Sequence, residues 1–211
     1  INMLGRRVMP IMHEISHLPG GHKPLNFVHK LADGSTRHVQ TYAGPIEIYG
    51  DKLMLCIVHD ITEQKRLEEQ LEHAAHHDAM TGLLNRRQFY HITEPGQMQH
   101  LAIAQDYSLL LIDTDRFKHI NDLYGHSKGD EVLCALARTL ESCARKGDLV
   151  FRWGGEEFVL LLPRTPLDTA LSLAETIRVS VAKVSISSLP RFTVSIGVAH
   201  HEGNESIDEL F

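Results

Sequence analysis

Between residues 25 and 60, apolar and polar positions alternate in short runs that predict an antiparallel meander. The runs 25–31 and 36–43 flank Asp33-Gly34, a dipeptide typical of tight hairpin turns. Gly44-Pro45 predicts a break after the second run, and Gly50-Asp51 predicts the turn into a last strand over 52–59. Three strands do not enclose a core alone, so we expect further chain upstream of this sheet.

A helical pattern follows from Thr62, a residue type that caps helices, to about His76. Leu67, Leu71 and Ala74 recur at steps of three and four residues, and mostly charged or amide side chains fill the positions between them. The pattern spans only about two heptads, fewer than a coiled coil requires. An amphipathic linker and a dimer stalk are therefore both open as interpretations.

From residue 107 onward, apolar strands and amphipathic helices alternate. We predict a strand over 107–113, a helix over 130–145, and a hairpin of strands 149–153 and 157–162 around Gly154-Gly155. A second helix over 166–183 has Thr165 as its cap and Pro166 at its first position, and a strand over 192–200 follows. The order β-α-β-β-α-β predicts an α+β fold, a ferredoxin-like split βαβ sheet with its helices on one face.

Composition narrows the class of protein. The formal net charge of -6 argues against binding to a nucleic acid polymer, which favours basic surfaces. Cys56, Cys134 and Cys143 form no CxxC pair, and an odd number of cysteines suits a reducing compartment, so we expect a cytoplasmic protein. No apolar run approaches the roughly 18 residues of a membrane helix. Because the chain begins at Ile1 and stops at Phe211 inside an expected helix, we also expect a piece of a longer protein.

Acidic residues stand where the predicted sheet could hold a cation. Asp113 ends the first apolar strand, and Glu156 and Glu157 follow the two glycines of the hairpin. In a split βαβ sheet this strand and this hairpin can lie side by side. Oxygen ligands without His or Cys favour Mg²⁺ or Mn²⁺. Taken alone, the acids also fit an ordinary polar hairpin tip.

The segment after the first strand predicts nucleotide binding. Backbone amides just past a strand end, with Lys118 beside them, form a plausible phosphate cradle. Asn121 and Asp130 offer what a guanine edge needs, because a carboxylate can accept from both N1–H and the 2-amino group. A matched bidentate pair of this kind discriminates between bases by about 1–3 kcal/mol.

Four motifs in a fixed order carry a resemblance to a known family. Residues 152–158 read Arg-Trp-Gly-Gly-Glu-Glu-Phe, and His77-Asp78, Thr81-Gly82-Leu83 and Asn85-Arg86-Arg87 form an opening motif. The stretch 113–130 and the late strand 195–199 complete the set. Together they resemble the GGDEF family of diguanylate cyclases, in its GGEEF form, over roughly residues 76 to 211.

The resemblance implies an activity and a role for each motif residue. The enzyme would condense two GTP into cyclic di-GMP and two pyrophosphates, and since each domain binds one GTP, a homodimer would be needed. Asp113, the carbonyl of Thr114 and Glu156 would bind the metal, and Glu157 would be a second ligand or help to deprotonate the 3′-hydroxyl. The substrate contacts implied are guanine recognition by Asn121 and Asp130, a pocket wall from His126, and phosphate binding by Lys118 and the amides of Arg116 and Phe117.

Arg145 and Asp148 have the spacing of the family's inhibitory product site, which implies feedback by cyclic di-GMP; a surface ion pair is the alternative. Thr176 stands where a second arginine is often found, which implies weaker inhibition.

The family also has a phosphate-contacting helix that would follow Phe211. We therefore expect weak activity from this stretch alone.

The front portion resembles the C-terminal half of a PAS sensory domain, on the strength of Asp33-Gly34-Ser35 and the closing run 59–63. The resulting organisation is a PAS-like part over 1–61, a helical linker over 62–76 and a GGDEF domain over 77–211. A PAS sensor would then control the cyclase, together with its product.

Two other functions match parts of the sequence. A non-catalytic module that binds GTP or cyclic di-GMP is the nearer one, although degenerate relatives usually lose the acidic pair that Glu156 and Glu157 retain. His13-Glu14-Ile15-Ser16-His17 spells the HExxH motif of zinc proteases. Pro10 and Pro19 leave that segment at most about two helical turns, so we expect no functional zinc there.

Overall fold

The computed structural model describes residues 24–94, 106–187 and 189–201, which form parts of two compact units, Ile1–Leu71 and Glu72–Phe211. The HExxH segment lies outside the described residues. Within the described part of the chain, no helix is both long and apolar enough to cross a membrane.

The first unit contains an antiparallel sheet of three strands in the order β1-β2-β3. They are β1 (Leu25–Lys30), β2 (Thr36–Ile48) and β3 (Asp51–Asp60). The predicted turn at Asp33-Gly34 is confirmed: Gly34 has φ +86°, and the Asp33 carboxylate accepts the Ser35 N–H at 2.8 Å.

The predicted break at Gly44-Pro45 is wrong, because β2 pairs with β3 without interruption from Val39 to Ile48. Pairing with β1 ends at Thr41, so Pro45 lies where β2 has a partner on one side only. An edge position of this kind tolerates the missing N–H of proline.

Helix α1 (Thr62–His76) has the predicted bounds but not the predicted cap. The Asp60 carboxylate accepts the Thr62 N–H at 2.9 Å, while the Thr62 hydroxyl accepts the N–H of His38 in the sheet. Asp60 therefore satisfies a free N–H at the start of the helix, and Thr62 ties the helix start to β2.

The elements of the second unit are β4 (Leu84–Asn85), α2 (Arg86–Thr93), β5 (Tyr107–Thr114), α3 (Phe117–Tyr124), α4 (His126–Cys143), β6 (Leu149–Gly154), β7 (Glu157–Pro163), α5 (Leu167–Lys183) and β8 (Val194–His200). Its five strands form a mixed sheet in the order β4-β6-β7-β5-β8. In this order β4 pairs with β6 in parallel, and the other pairs are antiparallel. Strands β5 to β8 have the order of a split βαβ sheet, as predicted.

The sheet buries both of its faces. Leu110 and Ile112 of β5 belong to one core cluster, with apolar residues of α3, α4 and α5. Leu109 lies in a second cluster with Phe89 and Ile92 of α2. Alternate residues of a strand point to opposite faces, so β5 contributes to both clusters. The prediction that all helices lie on one face is therefore incomplete, since α2 covers the other.

Four local predictions, three on helices and one on the last strand, are corrected. Residues 117–124 form a helix where we predicted only a phosphate cradle, and the next helix begins at His126 rather than at 130. Thr165 does not cap α5: its hydroxyl donates to the Pro163 carbonyl oxygen, and Pro166 occupies the N-cap position without a side-chain bond. The last strand begins at Val194, not at 192.

Candidate active site

Three acidic residues meet at one end of the second sheet. Asp113, the penultimate residue of β5, pairs in register with Glu157, the first residue of β7. The Thr114 hydroxyl donates to the Glu156 carbonyl oxygen at 3.3 Å. We call Asp113, Glu156 and Glu157 the acidic edge. The structure thus brings together the acids that the sequence predicted to be neighbours.

The turn before these glutamates is tight and held from one side. Gly155 has φ +52°, a region that favours glycine because it has no Cβ. Arg152 of β6 donates to the Gly155 carbonyl oxygen from Nε at 3.3 Å and from Nη2 at 3.0 Å. These bonds fix the direction in which Glu156 and Glu157 leave the turn.

The electrostatics of the acidic edge favour a cation. Partial burial raises the pKa of the Asp113 carboxyl above its ordinary value, and repulsion from Glu156, Glu157 and Asp115 raises it further. No group of three or more His, Cys, Asp or Glu side chains in the described ranges converges as a metal cage. One or two carboxylates with a backbone carbonyl are, however, the donors that Mg²⁺ uses when substrate phosphates complete its shell.

The predicted phosphate-cradle residues lie at the start of α3. Arg116 has φ +56°, a strained value for a residue with a side chain. Asp115 holds this turn, because its N–H donates to the Thr193 carbonyl oxygen and its carboxylate accepts the hydroxyls of Thr193 and Ser195 at 2.5 and 2.6 Å. The N–H groups of Phe117 and Lys118 stand in the first helical turn, where no intrahelical acceptor exists.

The predicted guanine-reading residues come from two consecutive helices. Asn121 is half-buried on α3, whereas His126 and Asp130 are exposed on the first turns of α4. Oδ1 of Asn121 is buried and has no hydrogen-bond partner in the described part of the chain. Phe117 is 9% exposed and belongs to the core, so only its backbone amide is available to a ligand.

A charge pair that the sequence analysis missed lies beside the acidic edge. Nη1 of Arg152 is 2.9 Å from Oδ1 of Asp78, which also accepts the N–H and the hydroxyl of Thr81. We call Asp78, Thr81 and Arg152 the brace. Burial raises the pKa of the Asp78 carboxyl, but the bonds from Thr81 and Arg152 outweigh burial and leave it below its ordinary value. Asp78 and Arg152 belong to two different motifs of the sequence, and no local pattern indicates that these motifs touch.

Arg145 and Asp148 lie at the other end of β6 from the Gly154-Gly155 turn, about 17 Å along the strand at 3.3 Å per residue. The Asp148 side chain is only 1% exposed and accepts the N–H and Nε of Arg145, each at 2.9 Å. Nη2 of Arg145 donates to the Pro163 carbonyl oxygen and to the Thr165 hydroxyl. Arg145 and Asp148 thus anchor a loop that lies at a distance from the acidic edge.

Comparisons with known proteins agree with this geometry. The family described as "Diguanylate cyclase, GGDEF domain" matches residues 75–211. Diguanylate cyclase DgcM of Escherichia coli O157:H7 is 99% identical over 211 residues, which are 100% of this chain and 52% of that protein. The chain therefore spans about half of that relative's length.

Solved structures show the same fold. The coiled coil and GGDEF domain of DgcB from Caulobacter crescentus, in complex with c-di-GMP, has a TM-score of 0.62 at 29% identity, over 70% of this chain and 82% of that one. Diguanylate cyclase SiaD from Pseudomonas aeruginosa, in complex with its activator SiaC, has a TM-score of 0.59 at 39% identity, over 70% and 58%. With its motifs in order, its strand order and this family match, the chain belongs to the GGDEF family of diguanylate cyclase domains.

Proposed function

We propose that the protein is a diguanylate cyclase that condenses two GTP molecules into cyclic di-GMP and two pyrophosphates. The observation that carries the proposal is the register of β5 with β7, which sets Asp113 opposite Glu157 and next to Glu156. The printed names of the relatives are consistent with it. The chain also retains both glutamates of the signature, which a non-catalytic module would not need.

Each GGDEF domain would bind one GTP through the two helices that follow β5. The N–H groups of Phe117 and Lys118 and the Lys118 ammonium would hold phosphate oxygens at the start of α3. Asn121 and Asp130 would read the guanine edge, and His126 would line the same pocket. Arg116 would contribute its backbone amide, held in place by the turn that Asp115 anchors.

The acidic edge fits a divalent cation, Mg²⁺ or Mn²⁺. Asp113, the Thr114 carbonyl oxygen and Glu156 are the groups that would hold it. Such an ion, when bound, offsets the negative charge of the phosphates. The raised pKa of Asp113 supports this assignment, because carboxylates that repel one another gain most from a cation between them.

The chemical step requires two domains face to face. In each half of the reaction, the 3′-oxygen of one GTP forms a bond to the α-phosphorus of the other, the bond from that phosphorus to the pyrophosphate oxygen breaks, and the 3′-proton leaves. Glu157, exposed at the start of β7, is the candidate acceptor for that proton. A homodimer of this protein would supply the two sites.

Incubation of the full-length protein with GTP and Mg²⁺, followed by mass analysis of the nucleotides, tests the proposal. We expect cyclic di-GMP and pyrophosphate in a ratio of one to two, and no product from Glu157→Gln. Glu175→Gln is the matched control, because Glu175 is an exposed residue of α5 outside the site. GTP binding without any product in the wild type would instead support the non-catalytic module.

We propose that the front unit is the C-terminal half of a PAS sensory domain and that α1 links it to the cyclase domain. The sensory domain would control the activity of the cyclase in the cytoplasm, where GTP is available. The antiparallel sheet and its Asp33-Gly34 hairpin support this proposal. Removal of residues 1–61 should change the rate of product formation but not the affinity of the cyclase for GTP. An unchanged rate would argue against a sensory role.

We also propose product feedback through Arg145 and Asp148. The Arg145 side chain is 54% exposed despite its bonds to the loop, so it can still present an edge to a phosphate or a guanine. The Thr176 hydroxyl is bonded to the Ser172 carbonyl oxygen and offers no second guanidinium, so inhibition should be weak. Progress curves with added product should show inhibition of the wild type and less of Arg145→Ala; equal inhibition would reduce the pair to a loop anchor.

A further inference from the structure

Helices α3 and α4 approach each other closely at Gly129, the residue before Asp130. A Cβ built on Gly129 would lie 2.0 Å from Oδ1 of Asn121, 3.0 Å from its Cγ and 3.1 Å from Cζ of Phe117. Atoms that are not bonded do not approach to 2.0 Å, so any side chain at 129 would displace the Asn121 amide. The space that Asn121 occupies exists because residue 129 has no side chain.

The backbone does not require glycine at this position. Gly129 is buried within α4, and its φ lies outside the left-handed region. Glycine is less favourable than alanine inside a helix, so its presence here has a local cost. That cost points to the contact with Asn121 and Phe117 as the reason for the glycine.

Asn121 is held through its backbone, while its side-chain oxygen has no partner in the part of the chain that the structure describes. Its carbonyl oxygen accepts the Gly125 N–H at 2.9 Å, which ends α3. Its Oδ1 is buried without a hydrogen-bond partner among the described residues. A buried polar group without a partner is unfavourable and needs an explanation other than packing, such as a ligand.

We infer that Gly129 is a positioning residue for base selection: because it lacks a side chain, the Asn121 amide can lie against α4 next to Asp130, so that both residues face one base. This inference rests on the proposed function, in which Asn121 and Asp130 read guanine. Gly129 itself touches no substrate, and its effect is on selectivity and affinity rather than on the bond-forming step.

The alternative is that Gly129 serves only the packing of Phe117 against α4. The two readings differ in what a substitution changes. A pure packing role lowers the melting temperature and affects every nucleotide equally. A positioning role lowers the preference for guanine over adenine, and its effect requires Asn121.

The test uses 3′-deoxy-GTP and 3′-deoxy-ATP with Mg²⁺ and the full-length protein, because these nucleotides lack the attacking hydroxyl and report binding alone. Gly129→Ala should weaken binding of 3′-deoxy-GTP by about tenfold, which is one bidentate contact. Binding of 3′-deoxy-ATP should change by less than about twofold on the same reasoning. Gly197→Ala is the matched control: Gly197 lies in β8, and the nearest atom to its added Cβ is the Leu111 carbonyl oxygen at 4.0 Å.

A double-mutant cycle with Asn121→Ala shows whether Gly129 acts through Asn121. We expect the double variant to bind 3′-deoxy-GTP as weakly as either single variant, and no weaker. Two losses that add would overturn the inference. Asn121→Ala removes the two atoms closest to the added Cβ and leaves Phe117 Cζ at 3.1 Å, so the double variant can be measured if Gly129→Ala alone folds poorly.

The outcomes separate this inference from the proposed function. If Asn121→Ala and Asp130→Ala both keep wild-type affinity and preference, guanine is read elsewhere and the proposed function loses its recognition site. If Asn121→Ala weakens binding while Gly129→Ala does not, recognition stands and the inference about Gly129 is wrong. Equal losses for both nucleotides in Gly129→Ala would show damage through Phe117 and would also overturn it.

Discussion

The acidic edge and the brace flank the same Gly154-Gly155 turn, yet their aspartates have opposite electrostatic environments. Burial raises the pKa of Asp113, and repulsion from Glu156, Glu157 and Asp115 raises it further. Asp78 is also partly buried, but Thr81 and Arg152 lower its pKa below the ordinary value. One carboxylate is therefore unfavourable to the fold, and the other stabilises it.

The difference shows what each region contributes. A charged group that a fold keeps without a partner is a candidate for binding a ligand of opposite charge. A charged group that accepts several hydrogen bonds, as Asp78 does through Oδ1 in the brace, is a candidate for holding a neighbouring element in place. The brace holds the turn from which the acidic edge extends, because Arg152 contacts both Asp78 and the Gly155 carbonyl oxygen.

The largest expected effect comes from Asp113→Asn. Cyclic di-GMP formation should fall by about a thousandfold or more, because a carboxylate that holds the metal contributes several kcal/mol to catalysis. The same variant should be more stable than the wild type at pH 7 in metal-free buffer, since repulsion within the acidic edge is relieved. Product assays and urea unfolding together check this; loss of activity with loss of stability would contradict it.

The prediction that Asp113, Glu156 and Glu157 are neighbours succeeded for a physical reason. The hairpin around Gly154-Gly155 and the strand that ends at Asp113 are local patterns, and the split βαβ order makes them neighbours. The brace was not predicted, because Asp78 and Arg152 are 74 residues apart and no periodicity links them.

Other misses have similar causes. Residues 117–124 carry so many polar and ligand-type side chains that their two buried residues, Phe117 and Ile120, did not stand out as a helical face. Thr165 fits a cap by residue type, but its hydroxyl is taken by Pro163 and Arg145. Pro45 is tolerated in β2 only because β1 is too short to reach it, which no local pattern shows.

A smaller effect, on stability, is expected from Asp78→Asn, which removes the negative charge of the brace but keeps the shape of the side chain. Removing one partner of a largely buried ion pair costs about 3–5 kcal/mol; the side chains here are 12% and 24% exposed, so we expect about 1–3 kcal/mol of lost stability. Glu175→Gln is the matched control: its pair with Arg178 is exposed on both sides, and it should change stability by less than about 0.5 kcal/mol. Equal losses in the two variants would show that the brace is an ordinary surface pair.

The stabilities of Asp113→Asn and Asp78→Asn, each relative to the wild type, should change with pH in opposite directions. The lowered pKa of Asp78 contributes stability that is present above its ordinary value of 3.8 and is lost as pH falls through the folded pKa. The raised pKa of Asp113 favours the fold only below 3.8, and this contribution is lost as pH rises through the folded pKa. From pH 3 to pH 7, Asp113→Asn should therefore gain stability relative to the wild type, while Asp78→Asn should fall behind it. The free energy of unfolding of each variant is measured by urea unfolding across this pH range. If both variants change with pH in the same direction relative to the wild type, the assignment is contradicted.

The smallest change in stability is expected from Asp115→Asn, because Asp115 shares a property with each of the two regions. Its carboxylate accepts hydrogen bonds from two hydroxyls, much as Asp78 accepts bonds in the brace. It also raises the pKa of Asp113, as a member of the acidic edge would. In Asp115→Asn the loss of charge-assisted bonds to Thr193 and Ser195 and the relief of repulsion oppose each other, so stability should change by less than about 1 kcal/mol. The gain in stability from Asp113→Asn should be smaller in the Asp115→Asn background, which a double-mutant cycle measures. Thr193→Val separates the two contributions, because it removes one bond to Asp115 and leaves every charge in place; it should lower stability without changing the pH profile of Asp113.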